Sequence, residues 1–240
     1  MKILAIIPAR GGSKGLKNKN ILPLAGHPLI AYSIKAALDT KRINRIIVST
    51  DSNEIAAVAK RYGAEVPFLR PEIFAQDMST DFEVFTHALE WLETNEGYIP
   101  DLIVQLRPTS PIRFAAEIDV CIDKLINTDS DSLRIVTLAP CTPYKMWRVN
   151  EHNELMEPLL KHENIKEPFN EPRQRLPKVF WQVGTLDVIR TNTMKEKKSL
   201  SGDRILSHII PNHLSIDIDD IEGFEKAAAI IVNENCVKFE

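Results

Sequence analysis

Residues 7–20 read IPARGGSKGLKNKN and follow the apolar run Ile3-Leu4-Ala5-Ile6-Ile7. The stretch sets Arg10, Lys14, Lys17 and Lys19 among three glycines with no carboxylate. Residues of these types handle anions. Gly11 and Gly12 permit close backbone approach and positive φ, so that N–H groups of Ala9 through Ser13 can converge on phosphate oxygens. Arg10 offers a planar fork for bidentate contact, while Lys14 and Lys19 supply point charges. A triphosphate carries about four negative charges, to which several fixed cations are a proportionate answer. A glycine turn with a solvated charged face is the plainer alternative, and Lys17 is read that way. Two common phosphate motifs are excluded. GxxxxGK(S/T) is absent because Leu16 follows Gly15, and GxGxxG fails because the run reads G-G-S-K-G.

The second candidate is a pair of carboxylates, Asp217 and Asp219. The segment Ser215 to Ile218 reads as a strand, which would put both on one face where they could share a hard cation. Mg²⁺, or Mn²⁺, keeps waters and phosphate oxygens and suits only one or two protein carboxylates. Asp220 is assigned to capping the helix that follows.

These residues need elements to hold them. Strand-like runs alternate with helix-period segments through the first half, the pattern of parallel strands with crossover helices. The spacing predicts strands over 2–7, 45–49, 101–106 and 132–138, and helices over 29–38, 54–62, 80–95 and 115–126. In such a sheet the loop after the first strand is the usual phosphate cradle, and residues 8–20 are that loop. From Ala139 to Lys178 the pattern breaks into Pro-rich sequence; short strands over 145–149 and 155–159 predict a β-hairpin arm, since an insertion of this length has its own structure or a function. Parallel order is then expected to resume with strands over 179–189 and 215–218 and a last helix over 221–234. The fold class is a doubly wound α/β domain with a mostly parallel sheet, a single domain over 1–240 with the arm inserted at about 140–175.

The 240 residues are 44% hydrophobic and carry a net charge of -3. That balance argues against nucleic acid as a partner. The charge is uneven: the first acidic residue is Asp39, preceded by six lysines and arginines, so one end of the molecule favours a small anion. Cys121, Cys141 and Cys236 lack CxxC or Cys/His ligand spacing and read as reduced structural thiols of a cytoplasmic protein. No run of about 18 apolar residues is present to span a membrane. The histidines show no ligand spacing, and His87 reads as a packing residue; Trp91, Trp147 and Trp181 read as core or interface.

The loop closely resembles the signature of the acylneuraminate cytidylyltransferase family, and more loosely that of the CMP-Kdo synthetases. Four further segments carry the resemblance in order. RP at 70–71 with QDMSTDFEVFTHALE resembles RPxxLAxDxAxxxxxxxHAL, and LRPTSPIR at 106–113 resembles LQPTSPLR. RQRLPKVFWQVGTLDVIR at 173–190 resembles RQxLPxxYxxNGAxY, and SIDIDDIEGFEKA at 215–227 resembles DIDTxxDFxxA. The resemblance implies a Rossmann-like nucleotidyltransferase that moves CMP from CTP to an acidic α-keto sugar. Arg10, Ser13, Lys14, Lys19, Asn20 and Arg70 would serve the nucleotide, with Arg10, Lys14, Lys19 and Asp217 at the chemistry. Asp217 and Asp219 would hold the metal, and Arg107, Thr109, Ser110, Arg173 and Gln174 would border the sugar. The arm resembles a dimerisation element, implying a homodimer. Three positions depart from the family pattern: Arg107 replaces a glutamine, Val183 an asparagine and Asp187 a tyrosine. They fall in the acceptor half. Another nucleotide, another sugar such as Kdo, or a binding regulator without turnover remain as alternatives. A pure binder has no need of two carboxylates facing a triphosphate, which they would repel without metal.

Overall fold

The computed structural model describes residues 1–239. Strand β1 (Ile3–Pro8) is followed by the basic loop and a two-strand ribbon, β2 (Pro23–Leu24) and β3 (His27–Pro28). Pro28 then opens α1 (Leu29–Leu38), its fixed φ suiting a helix start. Next come β4 (Arg45–Ser49) and α2 (Asn53–Arg61), where the Ser52 hydroxyl accepts from the Ile55 N–H. Helix α3 (Asp81–Glu96) starts at a full capping box: Thr80 accepts from the Glu83 N–H while Glu83 reaches back to the Thr80 N–H. Strand β5 (Leu102–Gln105), helix α4 (Ala115–Ile126) and strand β6 (Ser132–Leu138) complete the first half as the sequence predicts.

The arm contains the antiparallel hairpin β7 (Trp147–Val149) and β8 (Met156–Pro158). It returns into β9 (Phe180–Arg190), followed by α5 (Thr191–Lys197), β10 (Ile205–Ile209) and α6 (Ile221–Asn233). The main sheet runs β10-β6-β9-β5-β1-β4.

Two expectations are corrected here. Strand β9 does not resume parallel order; it runs antiparallel to both β5 and β6. Parallel neighbours need a crossover, usually helical, and the arm supplies none. The β6–arm–β9 unit is one long hairpin, closed at its base by the Ala139 N–H donating to the Val179 carbonyl at 3.0 Å. The segment 215–218 is not a strand either. Its alternating isoleucines pack against α6 in a third apolar cluster, and the last strand is β10, an edge element whose side chains alternate between exposed and half-buried. Such an edge shows no continuous apolar run to find.

Along β1 the pleat sends Ile3, Ala5 and Ile7 to one face of the sheet, against Ile30 and Ile34 of α1, Ile55 of α2 and Cys121 of α4. Leu4 and Ile6 face the other side, where Phe85, Leu89 and Leu92 of α3 and Met194 of α5 cover them. Helices on both faces bury β1 completely, as the unbroken apolar run requires. All three cysteines are free thiols; Cys121 and Cys236 are buried, and Cys141 is exposed at the base of the arm. Trp147 and Trp181 are likewise exposed.

Candidate active site

A cavity of about 270 Å³ opens where β1 and β5 end. It is lined by Arg10, Ser13, Lys19, Asn20, Arg70, Arg107 and Thr109 among the residues expected from the sequence. Ligands collect at this edge of an open α/β sheet because the strand ends leave a crevice there.

The basic loop is held from three sides. The Gly11 N–H donates to Asp51 Oδ1 at 2.9 Å, the buried Asn20 amide donates to the Arg10 carbonyl at 2.9 Å, and Lys19 Nζ donates to the Ile218 carbonyl at 2.7 Å. These contacts correct the expected cradle of N–H groups. Those of Ala9, Gly11 and Ser13 are committed to Ser49, Asp51 and Gly11 oxygens. Nor do Gly11 and Gly12 take positive φ; the left-handed residue of the loop is Asn18, at φ 56°. The glycines serve close approach instead. A Cβ on Gly15 would lie 2.4 Å from the Asp219 carbonyl oxygen, and one on Gly11 would lie 3.2 Å from Ser52 Cβ.

Arg10 and Lys14 both pair with Asp77, Arg10 NH1 at 2.8 Å from its Oδ1. The ammonium of Lys14 and the guanidinium of Arg10 hold the Asp77 carboxyl below its usual range. Lys19, with its side chain mostly buried, also reaches Asp219 at 3.3 Å.

Arg70 differs from these. It is buried, its N–H anchored to the Thr50 carbonyl at 2.7 Å, and its Nε and one terminal nitrogen have no hydrogen-bond partner. Burial lowers its pKa, with Asp51 and Asp81 opposing that and Arg10 adding to it. Beneath it His87 packs edge-on to Phe68 and against Phe74, and burial followed by the Arg70 charge keeps the imidazole pKa low. An unpartnered buried guanidinium facing a cavity is costly unless an anion completes it.

The β5 side carries Arg107, whose NH2 lies 2.7 Å from Asp81 and NH1 3.4 Å from Asp187. Ser110 is buried behind it with an unpartnered hydroxyl. Arg173 and Gln174 are not brought to this cavity. Arg173 donates to the carbonyls of Ala139 and Pro140, and both residues line a separate cavity at the base of the arm. Gln76, Asp77, Ser79 and Asp81, which sequence reasoning passed over, do line the site. The run QDMSTD, two acidic residues four apart on either side of the capping threonine Thr80, is the available signal.

Asp217 and Asp219 do not line the cavity; both are exposed, on either side of the buried Ile218, whose N–H donates to the carbonyl of the lining residue Thr109 at 2.8 Å. Among the described residues no group of three or more metal-ligating side chains comes together. Two hard, exposed carboxylates, one of them touching a cavity-lining lysine, fit an ion that takes its other ligands from phosphate and water. They do not fit a caged structural metal.

Residues 4–175 match the family described as Cytidylyltransferase. An N-acylneuraminate cytidylyltransferase of Escherichia coli is 33% identical over the whole chain, which spans about half (54%) of that relative's length. A pseudaminic acid cytidylyltransferase of Campylobacter jejuni is 30% identical, with 95% of each protein covered. Among solved structures, a CMP:2-keto-3-deoxy-manno-octonic acid synthetase in complex with CTP superposes with a TM-score of 0.70 at 15% identity, covering 97% of this chain and 99% of its own. The basic loop, the cavity at the strand ends and these likenesses agree: the chain belongs to the acylneuraminate cytidylyltransferases within the cytidylyltransferase family.

Proposed function

We propose that the chain transfers CMP from CTP to a hydroxyl of an acidic α-keto sugar and releases pyrophosphate. The observation that carries this reading is the buried, incompletely paired Arg70 guanidinium, set in one cavity with Arg10 and Lys19. In-line attack on an α-phosphorus asks for positioning and charge neutralisation more than for covalent chemistry. Arg10, Lys14 and Lys19 neutralise the triphosphate and then the departing pyrophosphate, with Arg70 completing the anion site. Asn20 fixes the backbone of Arg10, and Thr109 holds the 217–219 segment. Ala9, Gly11, Gly12 and Ser13 shape the nucleotide side; Ser110 borders the acceptor side with Arg107. Asp217 and Asp219 would hold Mg²⁺ or Mn²⁺, which when bound adds Lewis-acid charge neutralisation at phosphate oxygens. No covalent enzyme intermediate is needed.

The test is pyrophosphate release with each of the four nucleoside triphosphates, Mg²⁺ and N-acetylneuraminic, pseudaminic or N,N'-diacetyllegionaminic acid. Release with CTP and at least one acid, lost on chelation, is expected. Silence with every pair, while Asp217→Ala leaves nucleotide binding unchanged, would reduce the chain to a binder.

The arm suits self-association. Trp147, Val149, Leu155 and Met156 of the hairpin are exposed, as are Phe180 and Trp181 at its base, a concentration of apolar side chains that a monomer rarely leaves to solvent. A homodimer in which each arm lies on the other copy, with Arg173 and Gln174 carried along, is the expected assembly. Sedimentation at micromolar concentration should give twice the chain mass, and a single-chain mass would end this part of the reading.

A further inference from the structure

Asp187 is buried without any exposure, in the middle of the sheet. It is the register partner of Gln105 on β5 and of Arg134 on β6, beside the bulge between Arg134 and Val136. Its Oδ2 accepts from Arg107 NH1 at 3.4 Å, Arg134 Nε stands 3.9 Å from its Oδ1, and that Oδ1 has no hydrogen-bond partner. Burial pushes its carboxyl upward, against the pull of the two arginines. A carboxylate sunk into a sheet core does little for stability, because desolvation offsets the attraction of its partners. Its geometry, however, fixes Arg107.

Arg107 is held at both ends. Its carbonyl accepts from Arg113 NH2 at 2.7 Å, and its guanidinium is spread between Asp81 at 2.7 Å and Asp187. Gly184, on the same strand as Asp187, leaves room for it: a Cβ there would lie 3.4 Å from Arg107 Cδ and 3.0 Å from Ser110 Oγ. A long side chain with many rotamers is thus ordered before any ligand arrives.

The charges decide what such a group can read. Of the side chains that line the cavity, Arg107 is paired with Asp81, so this wall is balanced, whereas on the loop side Arg10, Lys19 and Arg70 outnumber Asp77. Resting on the transferase reading above, we propose that Asp187 is a positioning residue. It sets Arg107, beside Asp81, as a specificity-determining donor and acceptor pair for uncharged hydrogen-bonding groups of the acceptor, its hydroxyls or acylamido substituents. The negative charge of the substrates is met on the loop side.

The experiment measures pyrophosphate release with CTP and the three acids named above for the wild type, Asp187→Asn, Arg107→Gln and the double variant. With the acid that the wild type uses, each single variant should raise the acceptor KM roughly tenfold to a hundredfold, the range for a lost hydrogen bond to a charged group. The KM for CTP should stay within about twofold, and the double variant should be no worse than either single one, as coupled residues behave. Arg107→Gln replaces a side chain that borders the cavity, so it reads the effect even where Asp187→Asn does not fold. An unchanged acceptor KM, additive losses, or a parallel rise in the KM for CTP overturns the positioning role. Wild-type silence with all three acids overturns the transferase reading and this inference with it, whereas wild-type turnover with indifferent variants overturns the inference alone.

Discussion

Replacing Arg70 by methionine is expected to cut kcat/KM for CTP by about 10² to 10³ and, at the same time, to raise the melting temperature. The first effect follows from removing a fixed charge aimed at a polyanion. The second follows from the ligand-free site, where the guanidinium is buried with Nε and one terminal nitrogen unpartnered. Each kcal/mol of relief is worth about 2–4 °C in a chain of this size, and methionine keeps most of the volume. Saturating CTP should reverse the order, because ligand stabilises only the form that binds it. Thermal melts with and without CTP, alongside pyrophosphate release, read both halves. A variant that is less stable and fully active would mean that Arg70 is structural.

Gly15→Ala should lower kcat/KM by about 10² with the fold retained. The added methyl would meet the Asp219 carbonyl oxygen at 2.4 Å, against backbone that cannot turn aside as a side chain would. The loop and the 217–219 segment must then part by about 1 Å, a displacement that costs on the order of 10² in a positioned reaction. The Lys19 contacts to Ile218 and Asp219 stretch with it. Steady-state kinetics with a circular dichroism melt checks the claim, which fails if turnover stays within about twofold of the wild type.

The residues that carry these predictions were unequally legible. Arg10, Lys19, Asn20 and Arg70 stand next to strong local signals, a buried first strand and an Arg-Pro step, and the structure brings all four to one cavity. The first-half elements are readable because β1, β4 and β5 are buried on both faces and each helix has a cap or an amphipathic stripe. Strand β9 was misjudged in direction because its apolar run is equally compatible with either sense; only the lack of a crossover helix in the arm distinguishes them. Strand β10 gives no sequence signal because an edge needs no apolar run, and 215–218 reads as a strand because alternation also describes a segment docked on a helix. Asp77 and Asp81 went unread since their meaning lies in pairing with Arg10 and Arg107, far away in the chain. The departures Arg107 and Asp187, separate puzzles in one dimension, resolve into a contact in three.

The Asp77 carboxylate that holds Arg10 and Lys14 gives the basic loop an internal competitor. A small inorganic anion must displace it with one or two contacts, and an intramolecular rival is present at high effective concentration. On the proposed reading, a triphosphate would engage Arg10, Lys14, Lys19 and Arg70 together and so outcompete a single carboxylate. On that reading the loop would act as a threshold filter, discounting the phosphate and sulfate that crowd any basic surface and responding to multivalent anions, so that selectivity for the nucleotide would begin before the base is read.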